Sequence, residues 1–120
     1  DKKFVFSTFQ KMRGKLEVKA TFDRYGSPTY IKDLLAAVEK LIDKNASGTF
    51  HIANDGVASY YKIAKEIKKI GKFNSLIVAV KSSFIENPIV KRGNMEALSS
   101  SKVKLRHWKK PLKEYLEDII

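Results

Sequence analysis

The 120-residue sequence predicts an α/β fold, because segments with helical and strand periodicity alternate along the chain. Residues 31–42 carry apolar side chains at the i, i+3, i+4 and i+7 spacing of an amphipathic helix. Residues 16–22 alternate between apolar and polar side chains, as a strand with one buried face does. The segment SLIVAV, residues 75–80, favours a strand covered on both faces. We therefore expect about four helices and three short strands around one small core.

The first half of the chain divides at small and capping residues. A helix is predicted over residues 1–13 and closed by Gly14. The strand of residues 16–22 leads into a turn and then into the amphipathic helix. Ser27 can cap the first amides of that helix, and Pro28 suits its first position because proline lacks the N–H that would be unpaired there.

The second half repeats this alternation. The segment TFHIAN, residues 49–54, is predicted as a short strand. Ser59 is expected to cap the next helix, whose apolar stripe Gly71 closes. After the strand in LIVAV, residues 82–101 are predicted to be mostly irregular, and Pro111 can begin a last helix.

Composition excludes several kinds of protein. The chain has no cysteine, which excludes disulfides and thiolate metal sites, and its 2 histidines argue against a histidine-based metal site. No apolar run approaches the roughly 18 residues of a membrane span. The first residues lack the apolar segment of a signal peptide. We therefore expect a cytoplasmic protein without a membrane segment or a bound metal.

The net charge of +11 raises the question of a polyanionic partner, because clustered basic side chains bind phosphates. Most lysines are spread over predicted helix faces, often beside acidic residues. Only the segment KVKLRHWKK, from Lys102 to Lys110, is dense in positive charge and contains an aromatic residue, Trp108. A solvated lysine-rich surface is the favoured interpretation. A nucleic-acid-binding module that uses this segment remains the alternative.

Catalytic motifs are scarce in the sequence. Tyr61 and Lys65 have the Tyr-x-x-x-Lys spacing of short-chain dehydrogenases, in which an ammonium lowers the pKa of a phenol one helical turn away. At this position, however, both residues fall on the helix flank turned towards water. The 6 glycines are isolated from one another, so no phosphate-binding glycine loop is present. The chain is therefore not expected to be catalytically complete.

The turn DRYGSPT, residues 23–29, is a candidate binding loop. It places a carboxylate, a guanidinium and two hydroxyls beside a predicted helix N-terminus, where free amides favour an anion. Asp23, Gly26, Ser27 and Pro28 are equally good turn and capping residues without any ligand. From the pattern alone, the purely structural interpretation is favoured.

Three segments, DRYGSPTYIKDLLAAV, GTFHIANDGVASYYKIAKEI and KRGNMEAL followed by KLRHWKKPLKEYL, occur in a recognisable order. Together they resemble dTDP-4-dehydrorhamnose reductases, which are extended short-chain dehydrogenase/reductases acting on nucleotide-activated sugars. The first segment resembles the family's Asp-Gln-x-Gly-Ser-Pro-Thr-Tyr stretch. The second resembles its Gly-x-Tyr-His-x-x-Asn segment, and the third resembles its closing Arg-x-Trp region. The resemblance covers nearly the whole chain but only the C-terminal part of such an enzyme.

The resemblance implies that residues 1–120 form a single substrate-binding-type domain, the small C-terminal domain of an extended short-chain dehydrogenase/reductase. In that family the N-terminal Rossmann half holds NAD(P)H and the catalytic residues. We therefore expect no cofactor and no catalytic residue in this chain, and no activity of the chain alone. The expected partners are a nucleotide-sugar substrate, the missing Rossmann half of a longer reductase and a second copy in a homo-oligomer.

The family motifs can be transferred residue by residue. The matching positions are Asp23, Gly26, Ser27, Pro28, Thr29, Gly48, His51, Asn54, Arg92, Leu98 and Trp108. The chain departs from the family at Arg24, Gly93, Met95, Glu96 and Ser99. The resemblance implies that Arg24, Thr29, Lys91 and Arg92 bind substrate, since a guanidinium grips phosphate oxygens in a fork. His51 is expected to be structural, and Trp108 and Tyr115 are expected in the core or in a subunit contact.

A third interpretation is a non-catalytic oligomerisation domain. The strand in SLIVAV, residues 75–80, would then pair with another chain if it lacked neighbours. Such a domain would sediment as an oligomer at high concentration, whereas a nucleic-acid-binding module would bind a generic duplex at low salt.

Overall fold

The computed structural model describes residues 4–14, 17–85 and 103–119. The elements are α1 (Phe4–Arg13), β1 (Val18–Thr21), β2 (Tyr25–Gly26), α2 (Ile31–Asp43), β3 (Ala58–Ser59), α3 (Tyr60–Gly71), β4 (Ile77–Val80), α4 (Ser82–Ile85) and α5 (Lys109–Ile119). Four longer helices with short strands confirm the expected α/β class. The described residues form two compact units: α2 and α5 belong to the second, and all other elements belong to the first.

The first unit contains both pairs of strands. β1 and β4 form a two-stranded parallel sheet, in which Val18 pairs with Ile77 and Thr21 pairs with Val80. The ladder extends past the end of β1, because the Phe22 amide donates to the Val80 carbonyl at 3.1 Å. β2 and β3 form a short antiparallel pair. Since β1 and β4 are parallel, the residues that follow them leave the sheet at the same edge.

The core of the first unit comes from the predicted helix stripes. α3 buries Ile63, Ala64 and Ile67, and α1 buries Phe9 and Met12. These residues recur at helical spacing, so a single face of each helix supplies the core. The stripes of both helices are therefore confirmed.

Both ends of α3 have an identifiable cause. Ser59 caps the helix as predicted, because its Oγ accepts a hydrogen bond from the Lys62 amide at 3.1 Å. Gly71 is the last helical residue, and a Cβ at that position would collide with the ring of Phe73. Lys72 then adopts the left-handed conformation, with φ 54°, that terminates the helix.

The second unit is built from α2, α5 and the segments around them. α5 buries Pro111, Leu112 and Leu116, and it begins two residues before the predicted position. Asp55 and His107 form an isolated parallel β-bridge. This bridge holds the segment before α5 against the loop that follows α2.

The predicted start of α2 at Pro28 was wrong. The helix begins at Ile31, and Tyr30 is an extended N-cap residue without a side-chain cap, so Ser27 does not serve as the cap. Instead, the Tyr30 amide donates to Oδ1 of Asn54 at 2.8 Å. A side chain remote in sequence therefore holds the backbone before α2 in an extended conformation.

Two strand predictions also fail in part. Residues 49–54 contain no strand, since no other strand pairs with them in the part of the chain that the structure describes. β4 exists, but it is not covered on both faces: Ala79 is exposed, and Leu76 just before the strand is 62% exposed. Among the described residues, β4 has β1 as its only partner strand. Of residues 82–101, only those of α4 lie within the described part.

α2 is amphipathic as predicted, yet much of its apolar stripe lies at the surface. Ile31, Leu35, Val38 and Ile42 are exposed, with Ile42 at 68%. Ala37 is the buried residue of the helix. Within the described ranges, no helix has both the length and the apolar character needed to cross a membrane.

Candidate functional site

The candidate turn begins at the carboxyl edge of the parallel sheet. Asp23 follows β1 and Ser82 follows β4, and the two side chains meet there. The Ser82 amide donates to Oδ1 of Asp23 at 2.9 Å, and the Ser82 hydroxyl donates to Oδ2 at 3.0 Å. In α/β proteins, ligands bind beyond the carboxyl ends of parallel strands. The start of the turn therefore lies where such a fold places a binding site.

The protonation of Asp23 reflects these hydrogen bonds. Removal of the carboxylate from water would raise its pKa, but hydrogen bonds from the Ser82 amide and hydroxyl outweigh this effect. The pKa of Asp23 therefore lies below its ordinary value. The carboxylate stays ionised at neutral pH and fixes the turn to the first residue of α4.

Arg24, the first predicted substrate-binding residue, is only 9% exposed. Its carbonyl accepts a hydrogen bond from the Tyr60 amide at 3.2 Å. The next two residues form β2 and pair with β3, immediately before α3. The backbone of Arg24 is thus held by two elements of the first unit.

Gly26 has no structural need to be glycine in the described part of the chain. Its φ lies outside the left-handed region, and an added Cβ would meet only the ring end of Tyr60, with its hydroxyl oxygen at 3.7 Å. That distance is an ordinary van der Waals contact. The glycine of the family motif is therefore not dictated by the fold of this unit.

The remaining predicted substrate residues lie elsewhere. Thr29 belongs to the second unit, where its exposed side chain donates a hydrogen bond to the Ser27 carbonyl at 3.1 Å. Lys91 and Arg92 lie outside the described residues, as do the family departures at Gly93, Met95, Glu96 and Ser99.

Asn54 is the centre of a polar network in the second unit. It is completely buried. Its Nδ2 donates to Oδ2 of Asp33 at 2.8 Å and to the Arg106 carbonyl at 3.1 Å, while its Oδ1 accepts from the Tyr30 amide. Every hydrogen-bonding group of the amide except one lone pair is thus used. This family-matched residue organises the second unit around the start of α2.

Arg106 extends the network to the surface. Its guanidinium makes two hydrogen bonds to Asp33, at 3.0 and 3.1 Å, and two to Glu114, both at 2.6 Å. Hydrogen bonds from Arg106 are the leading cause that lowers the pKa of Asp33, and they also lower the pKa of Glu114. Both carboxylates are therefore stabilised in their ionised form.

The sequence did not reveal Asp33 and Arg106 as partners. They lie 73 positions apart, so no local spacing connects them. The only available signal was the Arg-x-Trp of the family motif, in which Arg106 precedes Trp108 by two positions.

The remaining aromatic and histidine predictions have separate outcomes. Trp108 is only 1% exposed, which confirms its place in the core. It lies against Gly56, whose φ is 98° and whose added Cβ would approach the indole to 2.8 Å. Tyr115 stacks edge-on against Tyr30, with 6.2 Å between ring centroids. His51 is exposed and outside any strand.

Tyr61 and Lys65 have no catalytic arrangement. The Lys65 ammonium lies 5.5 Å from the centroid of the Tyr61 ring, over the aromatic face. Both residues line an open cleft of the first unit rather than the carboxyl edge of the sheet. Among the described residues, no group of three or more histidine, aspartate or glutamate side chains is arranged to hold a metal ion.

Comparison with known proteins gives one family and several relatives. The sequence model of the family called RmlD substrate binding domain matches residues 1–120 of this chain. The spore coat polysaccharide biosynthesis protein SpsK of Bacillus subtilis is 31% identical over 119 residues, covering 96% of this chain and 42% of that protein.

Two solved structures are also similar. The dTDP-4-dehydrorhamnose reductase of Yersinia enterocolitica superposes with a TM-score of 0.91 at 30% identity, covering 100% of this chain and 44% of that one. The dTDP-4-dehydrorhamnose reductase of Bacillus anthracis, in complex with NADP, has a TM-score of 0.87 at 22% identity, with coverages of 96% and 43%. The chain thus spans less than half the length of the proteins it matches.

Proposed function

Because the chain belongs to the RmlD substrate-binding domain family, we propose that it forms the substrate side of a dTDP-4-dehydrorhamnose reductase-like enzyme. The complete enzyme would reduce a nucleotide-bound 4-keto-sugar with NAD(P)H, as a step of dTDP-L-rhamnose biosynthesis. The similarity to the Yersinia reductase over the whole chain supports this reaction. The chain would act in the cytoplasm, where activated sugars are made.

The observation that carries the proposal is the position of the family motif in the fold. The turn that starts with Asp23 leaves the carboxyl edge of the parallel sheet, where α/β folds bind their ligands. Gly26 in the same turn is small without a structural need to be so. A substrate that approaches the backbone closely at this point would account for the glycine.

We assign cofactor binding and catalysis to another part of the enzyme because the chain covers less than half of each relative. The matched relatives are more than twice as long as this chain, and the Bacillus anthracis reductase was crystallised with NADP. The chain itself carries no glycine-rich phosphate loop. We assign NAD(P)H and the catalytic residues to a Rossmann half outside residues 1–120, and this chain alone is proposed to be inactive.

The proposed substrate contacts are Arg24, Thr29, Lys91 and Arg92. The charges of Lys91 and Arg92 would bind the diphosphate of the nucleotide sugar, since Arg and Lys pair strongly with phosphate oxygens. Thr29 offers an exposed hydroxyl beside the start of α2. The charge of Arg24 acts on Asp23, whose pKa it helps to lower.

A titration of the chain with dTDP, followed by amide NMR, tests the site. We expect shifts at residues 23–29 and at Ser82, and no shifts there with thymidine, which lacks the phosphates. A variant with both Lys91→Gln and Arg92→Gln should bind dTDP about tenfold more weakly, because each substitution removes a charge-assisted contact. Lys11→Gln with Lys62→Gln is the matched control, because it removes the same charge from exposed positions of the first unit outside the proposed site, and it should leave the affinity nearly unchanged.

The outcome that contradicts the proposal is equally specific. If dTDP shifts no amide among residues 23–29, the turn is not part of the substrate site. The residues of the turn would then serve only the fold. If the variant of Lys91 and Arg92 binds dTDP as well as the control variant does, these two side chains do not bind the diphosphate.

The oligomerisation alternative is favoured by one observation. The exposed stripe of α2 presents apolar side chains that globular proteins normally cover. In contrast, the nucleic-acid alternative loses its stacking residue, because Trp108 is buried, and Arg106 is engaged with two carboxylates. Self-association therefore remains the second candidate function.

A further inference from the structure

A cleft in the first unit concentrates positive charge at the end of the sheet opposite to the candidate turn. It lies beside the last turns of α3 and the segment that leads into β4, and its volume is about 580 Å³. The segment before β4 enters the sheet at its amino edge, whereas Asp23 and Ser82 lie at its carboxyl edge. The cleft is therefore distinct from the site of the proposed function.

The walls of the cleft differ in chemistry. Three lysines come from the second half of α3 and a fourth, Lys72, directly follows the helix. Apolar side chains, including those of Phe73 and Leu76, come from the segment that leads into β4. Among the described residues that line the cleft, none is acidic. Leu76 is 62% exposed, so its apolar surface is available to a ligand.

The lysines are arranged at a cost to the helix. Lys65, Lys68 and Lys69 lie three and four positions apart on α3, where like charges destabilise a helix. Lys72 adopts the left-handed conformation, with φ 54°, in which glycine or asparagine is the usual residue. Lys68 and Lys69 lie in the last turn of α3, where the helix dipole favours cations, so the cost is the mutual repulsion of the lysines, which a bound anion would relieve.

The aromatic wall is fixed in place. Gly71 leaves room for the Phe73 ring against the end of α3, and that ring packs edge-on against Phe9, with 5.7 Å between centroids. The hydroxyl of buried Ser75 donates to the Met12 carbonyl at 3.2 Å. The segment between α3 and β4 is thereby tied to α1.

We propose that this cleft binds a nucleoside polyphosphate as a second ligand of the chain. The phosphates lie among the lysines, whose flexible ammonium groups suit a multiply charged anion. The base lies against the apolar wall of Phe73 and Leu76. A cleft of several hundred Å³ has the size of a small-molecule site.

The test compares three probes with the 120-residue chain by calorimetry: adenosine triphosphate, inorganic tripolyphosphate and adenosine. We expect adenosine triphosphate to bind tightest, tripolyphosphate to bind more weakly because it lacks the base, and adenosine to show no measurable binding. Amide NMR should place the shifts at residues 72–77. If tripolyphosphate binds as tightly as adenosine triphosphate, the apolar wall has no role and the proposal is wrong.

Two sets of variants separate the cleft from the general attraction of a chain with net charge +11. Lys65→Gln with Lys69→Gln should weaken binding about tenfold. Lys11→Gln with Lys62→Gln removes the same charge from exposed positions of the first unit that do not line the cleft, and it should change the affinity by less than about twofold. Equal losses in the two variants would overturn the proposal.

Lys72→Gly is the most discriminating single substitution. It removes a cleft charge and places glycine at a left-handed position, so the variant should melt at a higher temperature while it binds the nucleotide more weakly. A stabilised variant with unchanged affinity would also contradict the proposal. Because the readout is binding at residues 72–77, its failure leaves the proposed function at residues 23–29 untouched.

Discussion

At the scale of single residues, Asn54 is the most informative position. Its buried amide joins the backbone before α2, the Asp33 carboxylate and the carbonyl of Arg106. We expect Asn54→Ala to lower the free energy of unfolding by about 2–3 kcal/mol, because it strands buried hydrogen-bonding groups. Chemical denaturation measures this loss.

Asn74 provides the control for this prediction. It is an exposed asparagine without such a network, so Asn74→Ala should change stability by less than about 0.5 kcal/mol. Similar losses for the two substitutions would show that the network around Asn54 is not a main source of stability.

Two glycines allow the energetic cost of backbone strain to be distinguished from the cost of a steric collision. Gly48 and Gly56 both have positive φ, 105° and 98°, but a Cβ meets no atom within 4 Å at Gly48 and approaches His107 and Trp108 at Gly56. Gly48→Ala should cost about 1 kcal/mol from strain. Gly56→Ala should cost about 2–4 kcal/mol from strain and overpacking. Thermal denaturation of both variants tests this order, and an equal cost would contradict the packing of Trp108 against Gly56.

The hydrogen bonds of Arg106 to two carboxylates make the stability of the chain depend on pH. Its hydrogen bonds lower the pKa of Asp33 and of Glu114 below their ordinary values of 3.8 and 4.5. A lowered folded-state pKa contributes stability above the ordinary pKa, and this contribution disappears as the pH falls through the folded-state value. Arg106→Gln should therefore lower the melting temperature clearly at about pH 7 and much less at about pH 3.

The matched control for Arg106 is Lys113, which pairs with Glu117 at 3.9 Å on an exposed face. Lys113→Gln should have a small effect at both pH values, since such exposed pairs contribute little. If Arg106→Gln destabilises the chain equally at both pH values, its ion pairs are not the reason for its effect.

Some contacts of single residues could not be predicted from the sequence. Asn54 matched the family motif, but its three partners lie in segments that no sequence period relates to one another. Trp108 was predicted in the core or in a subunit contact because a large aromatic side chain buries well. The lysine cleft was missed, because α3 alone presents its lysines as a solvated face, and only the segment before β4 turns that face into a cleft.

At the scale of elements, local signals predicted what depends on one segment. The stripes of α1 and α3 and the cap by Ser59 follow from residues within each helix. Residues 49–54 have strand propensity, but a strand also needs a partner, and none pairs with them in the described ranges. The start of α2 moved to Ile31 because Asn54, far away in sequence, fixes the preceding backbone.

The exposed stripe of α2 yields a prediction about association. Ile31, Leu35, Val38 and Ile42 recur at helical spacing on one surface, and such a face drives association in water. We expect the chain alone to self-associate at high concentration in sedimentation experiments. Leu35→Glu with Ile42→Glu should shift it towards the monomer.

The control for association changes charge on the same helix without touching the stripe. Lys40→Glu alters an exposed residue of α2 and should leave association nearly unchanged. A monomeric wild-type chain at high concentration would contradict this prediction.

At the scale of the whole molecule, the central feature is that the chain spans less than half the length of the reductases it resembles. The family model matches residues 1–120, while the related reductases are more than twice as long. The sequence lacks a glycine-rich loop and a credible catalytic set, and from these absences we expect a Rossmann half outside residues 1–120, which stays a prediction. What it did not anticipate is that the described residues divide into two compact units.

The most direct measurement is hydride transfer by the purified 120-residue chain, supplied with NADPH and a dTDP-bound 4-keto-sugar. We predict no NADPH oxidation above the buffer rate, and turnover when the same residues are part of a chain that includes a Rossmann half. Steady oxidation of NADPH by the chain alone, dependent on the keto-sugar, would contradict the account.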